Sequence, residues 1–246
     1  GRIKSVDTIN SHRKHFSISI NDWKHEHDTI KKSEKRTTSQ FVFASGINNL
    51  VTDGMVAHSD FRYWGSHFYE VGWSYNTRIL KNNNLLHFKY GWSVVYNNLR
   101  PTDNRYFEEV GDQTYLQTAG TNLKDSRFKN VNLVFPMYLE FDFSGNKTKN
   151  DVPVFRTHKS VRIGLGGFAG VNVKTKQILK FDDSFGNSVT QKTKGDFNTN
   201  DLVYGLGAYI GYKETSLYVK YDLNPLFKNN VVDQNNISLG LRFDLN

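Results

Sequence analysis

Apolar and polar residues alternate with period two along eight segments of the chain. That period is the mark of a strand with two unlike faces. The last segment is the cleanest. It sets Ile237, Leu239, Leu241, Phe243 and Leu245 against Ser238, Gly240, Arg242 and Asp244. The seventh sets Leu217, Val219, Tyr221 and Leu223 against Tyr218, Lys220 and Asp222, and the sixth sets Leu202, Tyr204, Leu206, Ala208 and Ile210 against Gly205, Gly207, Tyr209 and Gly211. The fifth covers Val161 to Val173, the fourth Val131 to Phe143, the third Leu86 to Tyr96 and the second Tyr69 to Ile79. The first, about Ser39 to Leu50, is the weakest. Most of these runs reach 9 to 13 residues. Strands of soluble proteins average about 5–6 residues, whereas a tilted strand needs about 9–11 to cross a bilayer.

The connections also alternate. Long predicted loops (Val51–His67, Asn97–Arg127, Lys174–Asn200, Asn224–Asn235) take turns with shorter ones (Lys81–Asn84, Ser144–His158, Lys213–Thr215). Membrane barrels have that asymmetry, with the long loops outside the cell. An even strand count then places both chain ends in the periplasm. A lipocalin-like soluble barrel alternates too, but turns its apolar face inward. Here one face is nearly free of charge, while the other carries Gly, small residues and charges of both signs: Glu70, Arg78, Lys89, Glu140, Asp142, Arg162, Lys220, Asp222, Arg242 and Asp244. An interior just wide enough for side chains could neutralise such charges. The pattern predicts an all-β protein: a monomeric, eight-stranded, antiparallel, up-and-down transmembrane barrel over residues 39–246. Residues 1–38 are predicted to form a basic periplasmic extension.

Several motifs resemble outer-membrane β-barrel proteins of Bacteroidota type, the porin-family or PorT-like proteins. They are Ile237–Ser–Leu–Gly–Leu–Arg–Phe–Asp–Leu245, Tyr221–Asp–Leu–Asn–Pro–Leu–Phe227, Gly164–Leu–Gly–Gly–Phe–Ala–Gly170 and Asn130–Val–Asn–Leu–Val–Phe–Pro–Met–Tyr–Leu139. The resemblance spans roughly residues 39 to 245 and implies architecture more than activity. Many outer-membrane barrels end on an aromatic residue; here Phe243 stands three from the end and Asn246 is last.

Composition narrows the function classes. The 246 residues include no Cys, which excludes a disulfide framework and a Cys-ligated zinc site. No apolar segment at the start reads as a secretory signal, which leaves a cytoplasmic chain or one already trimmed. The net charge is +8. Nucleic acid is not expected as a partner, because the excess is not spread as a binding face. Residues 1–38 carry +4 and the short turns +3, whereas the long loops sum to zero. A basic rim at one end could face phosphates, an acidic periplasmic partner or peptidoglycan.

Candidate chemistry is thin. His12, His15, His25 and His27 cluster in the tail, and His25–Glu–His27 could offer two imidazoles to a metal. That spacing fits no closed site, so no metal and no cofactor is expected. Asp7–Thr–Ile9 and Asp28–Thr–Ile30 resemble an O-glycosylation acceptor pattern. His58–Ser59–Asp60, with His67 nearby, holds the residue types of an acyl-transfer triad, but neighbours on an extended chain point apart. No catalytic residue is assigned, and the chain is expected not to be an enzyme. Glu70, Lys89, Glu140, Arg162 and Arg242 are the candidates for a lumen charge network. Trp73, Tyr75, Tyr90, Trp92, Tyr96 and Tyr204 are candidates for an interfacial aromatic girdle, or for a protein contact within the membrane.

The expected function is that of a structural or accessory subunit in a larger outer-membrane assembly, for secretion, barrel insertion or nutrient uptake. Outer-membrane lipids, lipopolysaccharide and proteins of that assembly are the expected partners. A lipid-modifying enzyme and a narrow small-solute channel are the alternatives.

Overall fold

The computed structural model describes residues 36–52, 54–56, 60–149, 152–155 and 158–245. Eight long strands form a ring: β1 (Thr37–Thr52), β2 (His67–Arg78), β3 (Leu86–Leu99), β4 (Leu123–Asp142), β5 (Val161–Asp182), β6 (Leu202–Tyr212), β7 (Thr215–Asp222) and β8 (Gln234–Leu245). Each pairs antiparallel with the next. The ring closes where β1 meets β8, from Phe41 opposite Leu245 to Thr52 opposite Gln234. The fold is the eight-stranded antiparallel barrel that the alternation predicts. It is a transmembrane barrel by the physics of its faces. Closure leaves no unpaired edge for hydrocarbon to meet. The apolar positions point outward: Phe135, Met137, Leu139 and Phe141 on β4 are exposed, while Pro136, Tyr138, Glu140 and Asp142 are buried.

The ladder departs from regularity at two informative places. Pro136 has no N–H to donate, and the β3–β4 pairing skips from Tyr90–Met137 to Ser93–Val134. On β5 the register slips between Asn172 and Lys174, which leaves Val173 as an extra residue.

Glycines make the narrow interior habitable. A Cβ on Gly164 would overlap the Tyr209 ring, and one on Gly207 would overlap the Tyr138 hydroxyl. Small residues on β5 and β6 thus give room to large aromatics from the adjacent strand and from across the interior, the large-against-small matching a packed core requires.

Connections that the sequence reads as plain loops carry structure. Within Asn97–Arg127 lies a hairpin, Arg105–Val110 against Gln113–Thr118. A second, Asn146–Lys149 against Val152–Phe155, sits between β4 and β5. The segment Lys174–Asn200 is not a loop throughout. β5 runs on to Asp182, and Ser188–Lys194 folds back along it. The β4–β5 pair, 20 and 22 residues long, therefore rises past strands such as the 8-residue β7. The first strand begins at Thr37, inside the predicted extension, and residues 1–35 lie outside the described residues.

Gly207→Leu should push the Tyr138 ring out of place and cost about 1–3 kcal/mol. The neighbouring outward Ala208→Leu should be nearly silent. Urea unfolding in detergent, followed by heat-sensitive migration on gels, distinguishes the two.

Candidate functional site

The barrel interior holds the densest polar chemistry of the described residues. Five cations (Arg78, Lys89, Arg162, Lys220, Arg242) share it with five carboxylates (Glu70, Glu140, Asp142, Asp222, Asp244). Near the short-turn end the contacts converge on Glu140 and Asp244. Lys89 Nζ lies 2.8 Å from Asp244 and 3.6 Å from Glu140. Arg162 Nη1 bridges the same two carboxylates at 3.0 and 3.1 Å. Arg242 binds Asp244 at 3.0 Å. Glu140 also accepts from Asn76 Nδ2 and from the Tyr209 hydroxyl, each at 2.7 Å.

Above this layer three tyrosines from β4, β6 and β7 surround the Arg242 guanidinium. It lies 5.6 Å from the Tyr138 ring and 5.3 Å from those of Tyr209 and Tyr218. Cation–π attraction strengthens when the cation is desolvated. The Tyr218 hydroxyl donates to Glu70 at 3.2 Å, which leaves Tyr138, 3.1 Å away, to donate to Tyr218. Glu70 also lies 3.6 Å from Lys220. Of the five candidates for a lumen network, Lys89, Glu140, Arg162 and Arg242 thus meet around Asp244. Glu70 sits in an adjoining cluster, reached through Tyr218.

The residues that tie this site together are not prominent in the sequence. Asp244 shares its face with Arg242 two positions away, which is a usable signal. His158 has none. It belongs to the turn before β5, takes a left-handed backbone (φ 58°), and inserts its ring against Glu140 (3.3 Å) and Arg162 (3.0 Å). Glu140, Asp142 and His158 lie close enough together to hold a metal ion. Lys89 and Arg162 already neutralise Glu140, and Asp142 accepts from the His158 amide and from Ser144. The electrostatics around this trio favour no dication.

Toward the long-loop end the interior turns apolar. Leu50, Leu99 and Phe128 from the strand ends pack with Phe61, Phe107, Phe197 and Phe227 from the loops. Phe107 lies 4.6 Å from Phe128 and 5.0 Å from Phe227, ring centre to ring centre. Polar clamps lock these loops in place. Gln177 of β5 exchanges hydrogen bonds with the Phe107 backbone at 2.8 and 2.9 Å. Asn230 does the same with Thr114, and the Thr114 hydroxyl donates to the Phe197 carbonyl at 2.8 Å. The interior is filled by side chains at one end and lidded by phenylalanines at the other.

The six aromatic candidates all face outward but do not ring the barrel. Trp73 opposes Trp92, Tyr75 opposes Tyr90 and Tyr69 opposes Tyr96 on the β2–β3 pair. Five of the six candidates therefore form a stripe up one side, and Tyr204 stands apart on β6. Of the triad residue types, His58 and Ser59 lie outside the described residues, as do His12, His15, His25, His27 and both acceptor-like tripeptides. Asp60 is engaged with Arg105 at 2.9 Å. The His67 ring bonds the Gly65 carbonyl at 3.1 Å and packs on Tyr69.

A closed barrel with an outward apolar belt is the form taken by proteins of outer membranes. No family profile matches the chain, and no curated protein matches it in sequence. Among solved structures it is similar to Ail, the attachment invasion locus protein of Yersinia pestis, in complex with the heparin analogue sucrose octasulfate. The two share 14% identity at a TM-score of 0.37, over 86% of this chain and 100% of that one. At that score the likeness carries no argument about role or ligand.

Removing Arg162 would leave Glu140 and Asp244 short of a buried partner. Arg162→Met should destabilise the barrel by about 3–5 kcal/mol. Lys228→Gln, which breaks an exposed pair with Asp201, should cost at most about 1 kcal/mol. Equilibrium unfolding in lipid or detergent measures both.

Proposed function

We propose that the protein is a non-enzymatic outer-membrane barrel that serves as a structural or accessory subunit of a larger outer-membrane assembly, concerned with secretion, barrel insertion or nutrient uptake. Both chain ends would lie in the periplasm and the long loops outside. The observation that carries this reading is the blocked interior. Arg162 is 0% exposed and the three tyrosines are nearly as buried, beneath the phenylalanine lid. A solute conduit needs an open bore, and an eight-stranded ring filled in this way offers none.

What remains for work is the outside. The long-loop end exposes large apolar side chains at separate tips: Trp64 is 90% exposed, Phe185 89% and Val231 83%. The loops bearing Trp64 and Val231 are held by the lid and its clamps, so those tips form a pre-organised docking rim, which lowers the ordering cost of binding. The aromatic stripe on β2–β3 supplies a second contact face within the bilayer.

Mild-detergent extraction with chemical cross-linking, read by mass spectrometry, tests this reading. A defined partner is expected with the wild type and should be lost in a Trp64→Ser/Phe185→Ser variant that still folds. A lone species argues against an assembly role. Single-channel conductance in planar bilayers, or loss of a lipid A modification on His58→Ala, would replace it with the channel or the enzyme.

A further inference from the structure

The rising β4–β5 extension carries a charge pattern that net loop charges conceal. On the outward face of β5, the exposed Val171 and Val173 give way at once to Lys174 and Lys176. On β4 the outward Leu133 and Val131 give way to Lys129. The returning strand Ser188–Lys194 adds Lys192 and Lys194. Register sets three of these lysines abreast: Lys176 lies directly opposite Lys129 on one side and Lys194 on the other. Like charges facing each other across a ladder are unfavourable. Among the described residues no carboxylate offsets them: none of these five lysines has one within 4.0 Å. Partial desolvation, then Lys129, Lys174, Lys192 and Lys194, hold the Lys176 ammonium below its usual pKa.

The depth of this row bears on which kind of anion it suits. It begins one step beyond the last lipid-facing valines. Lys129 Nζ lies 5.6 Å from the centre of the Tyr96 ring, and Tyr96 packs beside Tyr69. Tyrosines of that kind favour the boundary between acyl chains and headgroups. A soluble polyanion would have to descend to the bilayer surface to reach the row. A lipid phosphate is already there.

We propose that the row of Lys129, Lys176 and Lys194, flanked by Lys174 and Lys192, binds the phosphate groups of an anionic glycolipid in the leaflet facing the long loops. The lysines act as point charges toward phosphate oxygens, and the valines below them receive the acyl chains. This site rests on the membrane-spanning fold and is independent of the accessory role.

The test uses the full chain in detergent, with bisphosphorylated lipid A and its fully dephosphorylated form as probes and native mass spectrometry as readout. The wild type is expected to retain the phosphorylated lipid and not the dephosphorylated one. A Lys129→Gln/Lys176→Gln/Lys194→Gln variant should lose about tenfold or more in affinity, and the matching triple Arg variant should keep it. Lys194→Gln alone, on the edge strand, should weaken binding measurably without touching the barrel. Equal retention by wild type and Gln variants, or equal retention of both lipids, overturns the proposal. So does a heparin oligosaccharide that binds the row as tightly without lipid, which would assign it to a soluble polyanion.

Discussion

Ring closure in an apolar solvent governs everything else in this molecule. Hydrocarbon offers no partner to a backbone N–H or C=O, so each strand must find both neighbours within the chain. The β1–β8 ladder, twelve residue pairs from Phe41 to Thr52, completes that circuit. Once the sheet is closed with its apolar side out, the polar side has nowhere to go but inward. Eight strands enclose a space that side chains fill. The interior charges therefore have to satisfy one another, and Asp244 and Glu140 become shared anchors for Lys89, Arg162 and Arg242. Inward glycines follow from the same constraint, because the tyrosines that cage Arg242 need the volume that Gly164 and Gly207 vacate.

The filled interior in turn leaves the ends and the outer wall as the surfaces open to contact. Phenylalanines from four loops and from β4 close the mouth, and amide clamps from Gln177 and Asn230 fix the loops above it. The β4–β5 pair, the tallest part of the wall, lifts a lysine row to the edge of the apolar belt. Stability and exposure are thus divided: the buried polar layer sets the shape, and the rim presents apolar tips and cations to whatever lies outside.

The fold was legible because lipid enforces sharp contrast. Within the apolar belt the outward residues of β2, β7 and β8 are apolar, so the period of two is clear there and those strands could be placed within a few residues, whereas β4 begins at Leu123, eight residues before the contrast starts at Val131. β1 was faint because Val42 and Ala44, small and apolar, line the inside opposite Phe41 and Phe43. The upper half of β5 was invisible for a related reason. Beyond the bilayer the outward positions become Lys174, Lys176, Ile178 and Lys180 while Thr175, Gln177 and Leu179 turn inward; the period persists but its polarity contrast disappears. The phenylalanine lid was illegible because its members come from scattered loop positions. His158 enters the charge layer only through a left-handed turn that no spacing announces. The interior charges, by contrast, stood on strands with fixed facing, so their location could be read, although which of them touch could not.

The orientation of the apolar face can be measured directly, because the chain has no Cys and single-cysteine spin labels can be placed one at a time along Val131–Asp142 in reconstituted bilayers. Labels at Leu133, Phe135, Met137, Leu139 and Phe141 are expected to be accessible to dissolved oxygen and shielded from a water-soluble nickel chelate, while those at Val134, Tyr138 and Glu140 are shielded from both. Nickel accessibility at the odd-numbered positions, or oxygen accessibility with no alternation, would contradict a barrel whose apolar wall meets lipid.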